Sequence, residues 1–243
     1  MALAPLAGVR LAIGALIAAA LAAPPGAMAA DERASASAIV EGTNAFRQSQ
    51  GLQPVERDAA LDSAAQQFAR FMARTGKYGH GADGRRPPQR AAAAGYDYCL
   101  VAENIAYQYR SSGFDSSTAL AKVLVEGWKK SPEHRHNMLL EAATETGTGI
   151  AQGDGGRYFA VQMFGRPRGA AIEFSIENRS SRSVQYTAGE RSYKLAPRVT
   201  RTHTLCRRPE LSIDQPGGSK PFRARPKDGA HYTVTARGVE SSS

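Results

Sequence analysis

The spacing of apolar residues changes once along this chain of 243 residues, and that change constrains the fold more than any other feature. Up to about Gly165 the apolar residues recur mainly at three- and four-residue steps, which is typical of amphipathic helices. Beyond a connector at residues 166–169 that contains proline and glycine, they mainly alternate, as in half-buried strands. The sequence therefore predicts an α+β domain over residues 31–165 and a small all-β domain over residues 170–240.

Helix patterns dominate the first of these domains. The clearest begins after Asp58, a residue type that caps helix N-termini, and its apolar positions share one helical face: Leu61, Ala64, Ala65, Phe68, Phe71 and Met72. Further helices are predicted over residues 33–50, from Pro87, from Ser116 or Ser117, and from Pro132. Strands are predicted over residues 99–107, 144–152 and 157–165, and about five to seven short strands in a sandwich are predicted for residues 170–240.

Residues 1–30 have the features of a secretory signal peptide. Arg10 precedes an apolar run over residues 11–23, and Ala27-Met28-Ala29 follows a Pro-Pro-Gly break as a cleavage pattern of small residues. A membrane anchor is the alternative, but the run falls short of the roughly 20 residues that cross a bilayer. The sequence therefore predicts an exported protein, periplasmic or extracellular, with no transmembrane segment in the mature chain.

The net positive charge of the mature chain comes entirely from its last third. Residues 30–165 hold 15 lysines and arginines against 15 acidic residues, whereas residues 166–243 hold 15 against 7. Such an excess favours anionic partners, here an anionic envelope lipid or cell-wall polymer. Ordinary solvated surface charge is the alternative, because no run of five or six basic residues occurs. Nucleic acid is not an expected partner, since the chain has no phosphate loop or Cys-His finger.

Two cysteines, Cys99 and Cys206, are too few for a cysteine-based zinc cluster or a disulfide scaffold. In an oxidising compartment they can pair with each other and close a long loop. Two buried free thiols are the alternative that the sequence leaves open.

Five short motifs follow one another in the first domain. They are Asn44-Ala45-Phe46-Arg47, His80 after Tyr78, Glu103-Asn104-Ile105-Ala106, Trp128 through Met138, and Gly147-Thr148-Gly149-Ile150-Ala151. In this order they resemble the CAP superfamily of cysteine-rich secretory proteins, antigen 5 and pathogenesis-related 1 proteins, in its bacterial secreted form. The resemblance covers about residues 38–167, and it implies an α-β-α sandwich with a central antiparallel sheet.

The resemblance also implies a cleft that contains His80, Glu103 and His134. In some members such residues bind a divalent metal, and two imidazoles with a carboxylate suit zinc. His80 and His134 are therefore the predicted metal ligands. The second acidic residue that eukaryotic members carry after their tryptophan is replaced here by Ser131. His136 lies about 200° around the helix from His134 and is expected outside the cleft.

Two classes of function remain open. The favoured one is a non-enzymatic binding module whose cleft takes a small ligand, metal or lipid, because the chain has neither His-Glu-x-x-His nor Gly-x-Ser-x-Gly. The alternative is a secreted, peptidase-like hydrolase that uses Glu103 and His80 together with His134 and Ser131. Trp128 and Tyr107 are predicted to belong to the core and not to a ligand platform.

Overall fold

The computed structural model of the protein describes Met1, residues 30–215 and residues 218–242. Most of the predicted signal peptide lies outside these residues. Within them the chain forms helices packed on a sheet, followed by strands alone, as the α+β prediction requires. In the described ranges, none of the helices combines the length and the apolar character needed to cross a bilayer.

The first part of the chain places one sheet between two layers of helices. The helices are α1 (Glu32–Ser49), α2 (Ala59–Thr75), α3 (Pro87–Ala93), α4 (Ser117–Lys130) and α5 (Pro132–Met138). The strands are β1 (Glu56–Arg57), β2 (Tyr98–Tyr109), β3 (Glu145–Gly153) and β4 (Arg157–Pro167), in the order β1-β3-β4-β2. The pairs of β4 with β2 and β3 are antiparallel, whereas β1 runs parallel to β3.

Alternation along β4 divides the core between the two faces of the sheet. Ala160 and Phe164 join the cluster that contains apolar residues of α1 and α4, whereas Val161 and Met163 join the cluster of α2. Successive residues of a strand point to opposite faces, so a strand buried on both faces reads as a nearly continuous apolar run. The arrangement is the α-β-α sandwich that the resemblance implies.

Local signals in the sequence set the helix boundaries. The side chain of Asp58 accepts a hydrogen bond from the amide of Leu61 at 2.9 Å, and Ser116 does the same for Ala119 at 3.1 Å. Both satisfy amides that the first helical turn leaves without a partner. Pro132 occupies the first turn of α5, where its missing N–H costs nothing.

Helix α2 lies directly on the backbone of β3. A Cβ atom at Gly147 would come within 2.1 Å of the amide nitrogen of Asp62, and one at Gly149 within 2.3 Å of Cα of Gln66. Only glycine permits this approach. At the same place, side chains of α2 bond backbone groups on the edge of β3 that faces away from β4, which we call its outer edge. Asp62 accepts from the amide of Thr148, and Gln66 bonds the amide and carbonyl of Ile150.

The second part of the chain forms two four-stranded sheets. Their strands are β5 (Ile172–Asn178), β6 (Val184–Ala188), β7 (Arg191–Leu195), β8 (Thr200–Leu205), β9 (Leu211–Ile213), β10 (Phe222–Ala224), β11 (Ala230–Thr235) and β12 (Gly238–Ser242). The sheet orders are β12-β11-β5-β8 and β10-β9-β6-β7, and a single apolar cluster draws on both sheets. The described residues thus hold eight strands where five to seven were predicted. The strands without a sequence signal are β10, whose three residues are too short to show alternation, and β12.

A disulfide joins Cys99 in β2 to Cys206 at the end of β8, with 5.4 Å between their Cα atoms and 107 positions between them in sequence. The bridge was one of two alternatives left open by the sequence, and it ties the sandwich to the β domain. It also fits an oxidising compartment.

Candidate functional site

His80 and Glu103, two of the three residues that the resemblance assigns to a cleft, are in contact. His80 lies in the loop between α2 and α3, and its Nδ1 is 2.8 Å from Oε1 of Glu103 on β2. The Glu103 side chain is only 1% exposed whereas the imidazole is 51% exposed, so the histidine covers a buried carboxylate. When Nδ1 carries the proton that Glu103 accepts, Nε2 is left as an acceptor that can face a ligand.

Arg90 on α3 binds the same carboxylate from the other side. Its Nη2 lies 2.8 Å from Oε1 and 2.9 Å from Oε2 of Glu103, and also donates to the carbonyl of His80 at 2.8 Å. Its Nη1 donates to Asp83 at 2.8 Å, and its guanidinium lies 3.6 Å from the ring centre of Phe68. Arg90 therefore both holds the loop that carries His80 in place and balances the charge of Glu103. Sequence reasoning missed Arg90 and Asp83, for which the only signal was an arginine in an alanine-rich helix.

His134 reaches this region from α5. Its carbonyl accepts a hydrogen bond from Asn104 at 3.0 Å, while Asn137 donates to the carbonyl of Glu103 at 3.2 Å and to Asn104 at 3.0 Å. Burial holds the pKa of the His134 imidazole below its usual value. The nearby His80 imidazole acts in the same direction, whereas Glu133 acts in the opposite one. His134 is therefore mainly neutral at pH 7, with its helix locked to β2 by two asparagines.

Arg47 holds the other end of α5. Its guanidinium donates to the carbonyls of Met138 at 2.8 Å and Leu140 at 3.1 Å, and to that of Ala143 at 3.3 Å. Burial lowers its pKa, since no carboxylate compensates it among the described residues. The carbonyls at a helix C-terminus carry partial negative charge and accept this cation instead. The first sequence motif thus positions the helix that carries His134.

A cavity of about 290 Å³ lies along the outer edge of β2. Its walls come from the loop before His80, from β2 and from the junction of α4 and α5, and its lining residues are Tyr78, Ile105, Ala106, Tyr107, Gln108, Leu124, Gly127, Trp128, Ser131 and His134. The carbonyl of Ile105 points outward from this edge and accepts from the Tyr78 hydroxyl and from Nε1 of Trp128, each at 3.2 Å. We call this cavity the β2 cleft.

The two aromatic residues predicted for the core differ in their surroundings. Trp128 is 1% exposed and packs in the core, as predicted, although it also lines the β2 cleft. Tyr107 is 50% exposed, so its assignment to the core is wrong. It belongs to an edge strand, and its ring meets that of Tyr78 edge to face with centres 5.2 Å apart.

The predicted site residues form two adjoining groups. His80 and Glu103 are bonded together, while His134 and Ser131 line the β2 cleft. Within the described part of the chain, no hydrogen bond joins the Ser131 hydroxyl to His134. His136 is exposed on the far side of α5.

The side chains do not fit a zinc site with three protein ligands. Both oxygens of Glu103 are bonded to Arg90, and among the described residues no group of three or more His, Cys, Asp or Glu side chains is arranged to hold a metal ion. Catalytic zinc sites have three such ligands and a water. A metal held by His80 and His134 alone stays a prediction.

Comparison with known proteins gives a family and a likeness of fold. The sequence model of the cysteine-rich secretory protein family, CAP, matches residues 40–164. An outer surface protein from Borrelia burgdorferi aligns with 57% of this chain and 97% of its own at 18% identity, with a TM-score of 0.50. An extracellular SCP-domain protein from Bacillus anthracis aligns with 56% of this chain and 41% of its own at 26% identity, with a TM-score of 0.45. The comparison with curated proteins gave no match.

Proposed function

Because the chain belongs to the cysteine-rich secretory protein family, CAP, we propose that it is an exported binding protein whose β2 cleft takes a small ligand or lipid without chemical turnover. The basic β domain attaches the protein to an anionic surface of the cell envelope. The similar SCP-domain protein from Bacillus anthracis is described as extracellular, and the disulfide fits a location outside the reducing cytoplasm.

The state of Glu103 is the observation that carries the non-enzymatic proposal. A general base or nucleophile needs a lone pair that can reach substrate. Here the carboxylate is buried, and its oxygens accept from Arg90 and His80. Such a carboxylate holds Arg90 and His80 in place, and its burial keeps it from reaching a substrate.

The composition of the β2 cleft supports an apolar or aromatic ligand with a polar end. Tyr78, Tyr107 and Trp128 supply ring faces and edges, while His134 and Ser131 supply polar atoms at one side. Aromatic side chains bury large areas at low entropic cost, which suits a shallow site. A volume near 290 Å³ fits a small molecule or one segment of a lipid chain.

Fluorescence titration with the neutral dye Nile red tests this cleft. Tyr107→Ala is expected to weaken dye binding by about tenfold, since a lost aromatic contact is worth roughly 1–1.5 kcal/mol. Tyr109→Ala is the matched control, because Tyr109 is exposed on the same strand but does not line the cleft. Equal affinities in both variants and the unmodified protein would contradict the proposal.

Co-sedimentation with phosphatidylglycerol vesicles tests the attachment of the β domain. The variant Arg207→Gln/Arg208→Gln/Arg223→Gln removes three exposed charges of that domain and is expected to reduce binding several-fold at low salt. The control Arg33→Gln/Lys122→Gln/Lys130→Gln removes the same charge from the sandwich. Binding that is insensitive to salt, or an equal loss in the control, would count against attachment through the β domain.

A hydrolase is the second candidate, working through Glu103, His80, His134 and Ser131. A pH-activity profile on a broad peptide library, compared between the unmodified protein and His80→Ala, separates the two functions. Turnover that the substitution abolishes would replace the binding proposal. Elemental analysis of the same two proteins tests the predicted divalent metal, since loss of a bound zinc in His80→Ala would assign it to this histidine.

A further inference from the structure

A second cavity, of about 470 Å³, opens between α2 and α3, and none of the functions above uses it. Its walls are Ala64, Gln67, Phe68, Arg70, Phe71 and Arg74 from α2, together with Asp83, Arg85, Arg90 and Ala93 from the following loop and α3. It shares no lining residue with the β2 cleft. We call it the α2–α3 cavity.

Four of the lining residues are arginines, against one acidic residue. Asp83 is already bonded to the guanidinium of Arg90 and to the amide of Arg85. In the part of the chain that the structure describes, no carboxylate pairs with the side chains of Arg70, Arg74 or Arg85, which are all exposed. Three unpaired guanidinium groups around one hollow repel one another, and an anion that binds among them relieves this repulsion.

The cavity is built on a rigid inner wall. The side chain of Arg90 is 3% exposed and lies over the ring of Phe68, so it cannot swing away from the cavity as the other three can. Its Nε is buried without a hydrogen-bond partner among the described residues. A buried donor with no partner is uncommon in native proteins. The charge of Arg90 is balanced by Glu103 and Asp83, so the positive potential of the cavity comes from Arg70, Arg74 and Arg85. Phe71 and two alanines supply apolar surface beside it.

We propose that the α2–α3 cavity binds a phosphate-bearing organic molecule. Guanidinium groups match phosphate oxygens in bidentate geometry, which favours phosphate over a single carboxylate where several arginines converge. The cavity is larger than one phosphate needs, and its apolar wall accommodates a carbon body attached to that group. The phosphate lies among Arg70, Arg74 and Arg85, and the carbon body lies against Phe71.

Isothermal titration calorimetry of the purified protein tests the site with two probes, inorganic pyrophosphate and dihexanoyl phosphatidic acid below its micellar concentration. In Arg70→Gln/Arg74→Gln/Arg85→Gln both probes are expected to bind at least tenfold more weakly. The control Arg207→Gln/Arg208→Gln/Arg223→Gln loses the same charge in the β domain and is expected to keep its affinity. No binding to the unmodified protein, or an equal loss in the control, would overturn the site.

The two probes also separate the sources of the phosphate. Phosphatidic acid that binds at least tenfold more tightly than pyrophosphate would assign the site to a lipid headgroup with its glycerol and acyl carbons. Equal or weaker binding would assign it to a soluble phosphorylated compound. Arg74→Gln alone, at an exposed position, is expected to weaken both probes several-fold with an unchanged melting temperature, and it serves if the triple variant does not fold.

Discussion

Two buried arginines near the candidate site are compensated in different ways. Arg47 has only carbonyl partners, four of them within 3.3 Å, whereas Arg90 binds two carboxylates. A buried cation needs such partners because desolvation is expensive. The first arginine sets the position of α5 and the second sets the position of the His80 loop. Both therefore act on the histidines without touching a ligand of the β2 cleft.

Arg90→Met is expected to lower the free energy of unfolding by about 3–5 kcal/mol, because Glu103 would keep a buried charge with only a half-exposed histidine as partner. Arg90→Met/Glu103→Leu is expected to lose less than the single variant, since no unpaired charge remains. Urea unfolding measures both. Arg33→Met, at an exposed position of α1, is the control, with a change of less than about 0.5 kcal/mol. A loss below about 1 kcal/mol in Arg90→Met would contradict the role of the pair.

His203 gives the β domain a dependence on pH. Burial lowers its pKa below the usual 6.5, and the charge of Arg201 acts in the same direction. Its Nε2 bonds the Tyr186 hydroxyl at 2.7 Å, and its ring packs against Phe174 and Tyr193. Below pH 6.5 the unfolded chain therefore binds this proton more readily than the folded chain does, so stability falls as the pH drops towards the folded pKa.

Thermal melting between pH 8 and pH 4.5 tests this dependence. The unmodified protein is expected to lose more stability below pH 6.5 than His203→Gln, which can still bond the Tyr186 hydroxyl but does not titrate. His136→Gln, at an exposed histidine, should follow the unmodified protein. If the melting temperatures of the unmodified protein and His203→Gln depend on pH in the same way, the lowered pKa of His203 would be refuted.

The sequence predicted that His80 and Glu103 meet, because the motif order resembled a known family. It did not predict Arg90 or Asp83. Periodicity indicates which face of a helix is buried, but a long guanidinium reaches across elements to partners that depend on the packing distance. Tyr107 was misassigned for a related reason, since alternation does not tell an edge strand from a central one.

Among the elements, the contact of α2 with β3 depends on the absence of two side chains. Gly147 and Gly149 let the helix backbone touch the strand, and the side chains of Asp62 and Gln66 then reach the outer edge of β3. Amphipathic spacing and the Asp58 cap predicted α2 well, and the strands predicted over residues 144–152 and 157–165 correspond to β3 and β4. The close contact of α2 with β3 was not predicted, because a glycine in a strand can mark a bulge, a bend or the close approach of another backbone.

Gly149→Ala is expected to destabilise the protein by about 3 kcal/mol or more, since the new methyl group would meet the backbone of α2 and not a movable side chain. Gly127→Ala, within α4, is the matched control because nothing lies within 4 Å of its Cβ position. That change should be neutral or stabilising by up to about 1 kcal/mol. Chemical denaturation compares the two, and similar stabilities would contradict the close contact.

For the whole molecule, the disulfide connects two parts with separate apolar cores. The β domain has a small core, and domains of such size gain proportionally more from a covalent link. The apolar spacing changes near residue 166, and in the structure β4 runs on to Pro167 before strands alone follow. The disulfide could not be predicted firmly, because the sequence does not show whether two cysteines 107 positions apart come close enough to bond.

Cys99→Ala/Cys206→Ala is expected to lower stability by about 2–5 kcal/mol, as a loop of this length restricts the unfolded chain strongly. Calorimetry without reductant measures the loss, and the unmodified protein in dithiothreitol should show a similar one. Titration of thiols in the native and unfolded protein is the check on the starting state. Two reactive thiols before reduction would show that the bridge does not form.

The outer edge of β3 is closed by side chains, with the amides of Thr148, Ile150 and Gln152 bonded to Asp62, Gln66 and Glu32. An exposed strand edge has free amides that can pair with another extended chain, and β-sheet aggregation can begin in this way. Here an incoming strand would find those donors occupied. The occupied amides therefore disfavour the addition of a strand from another copy of the protein at this edge.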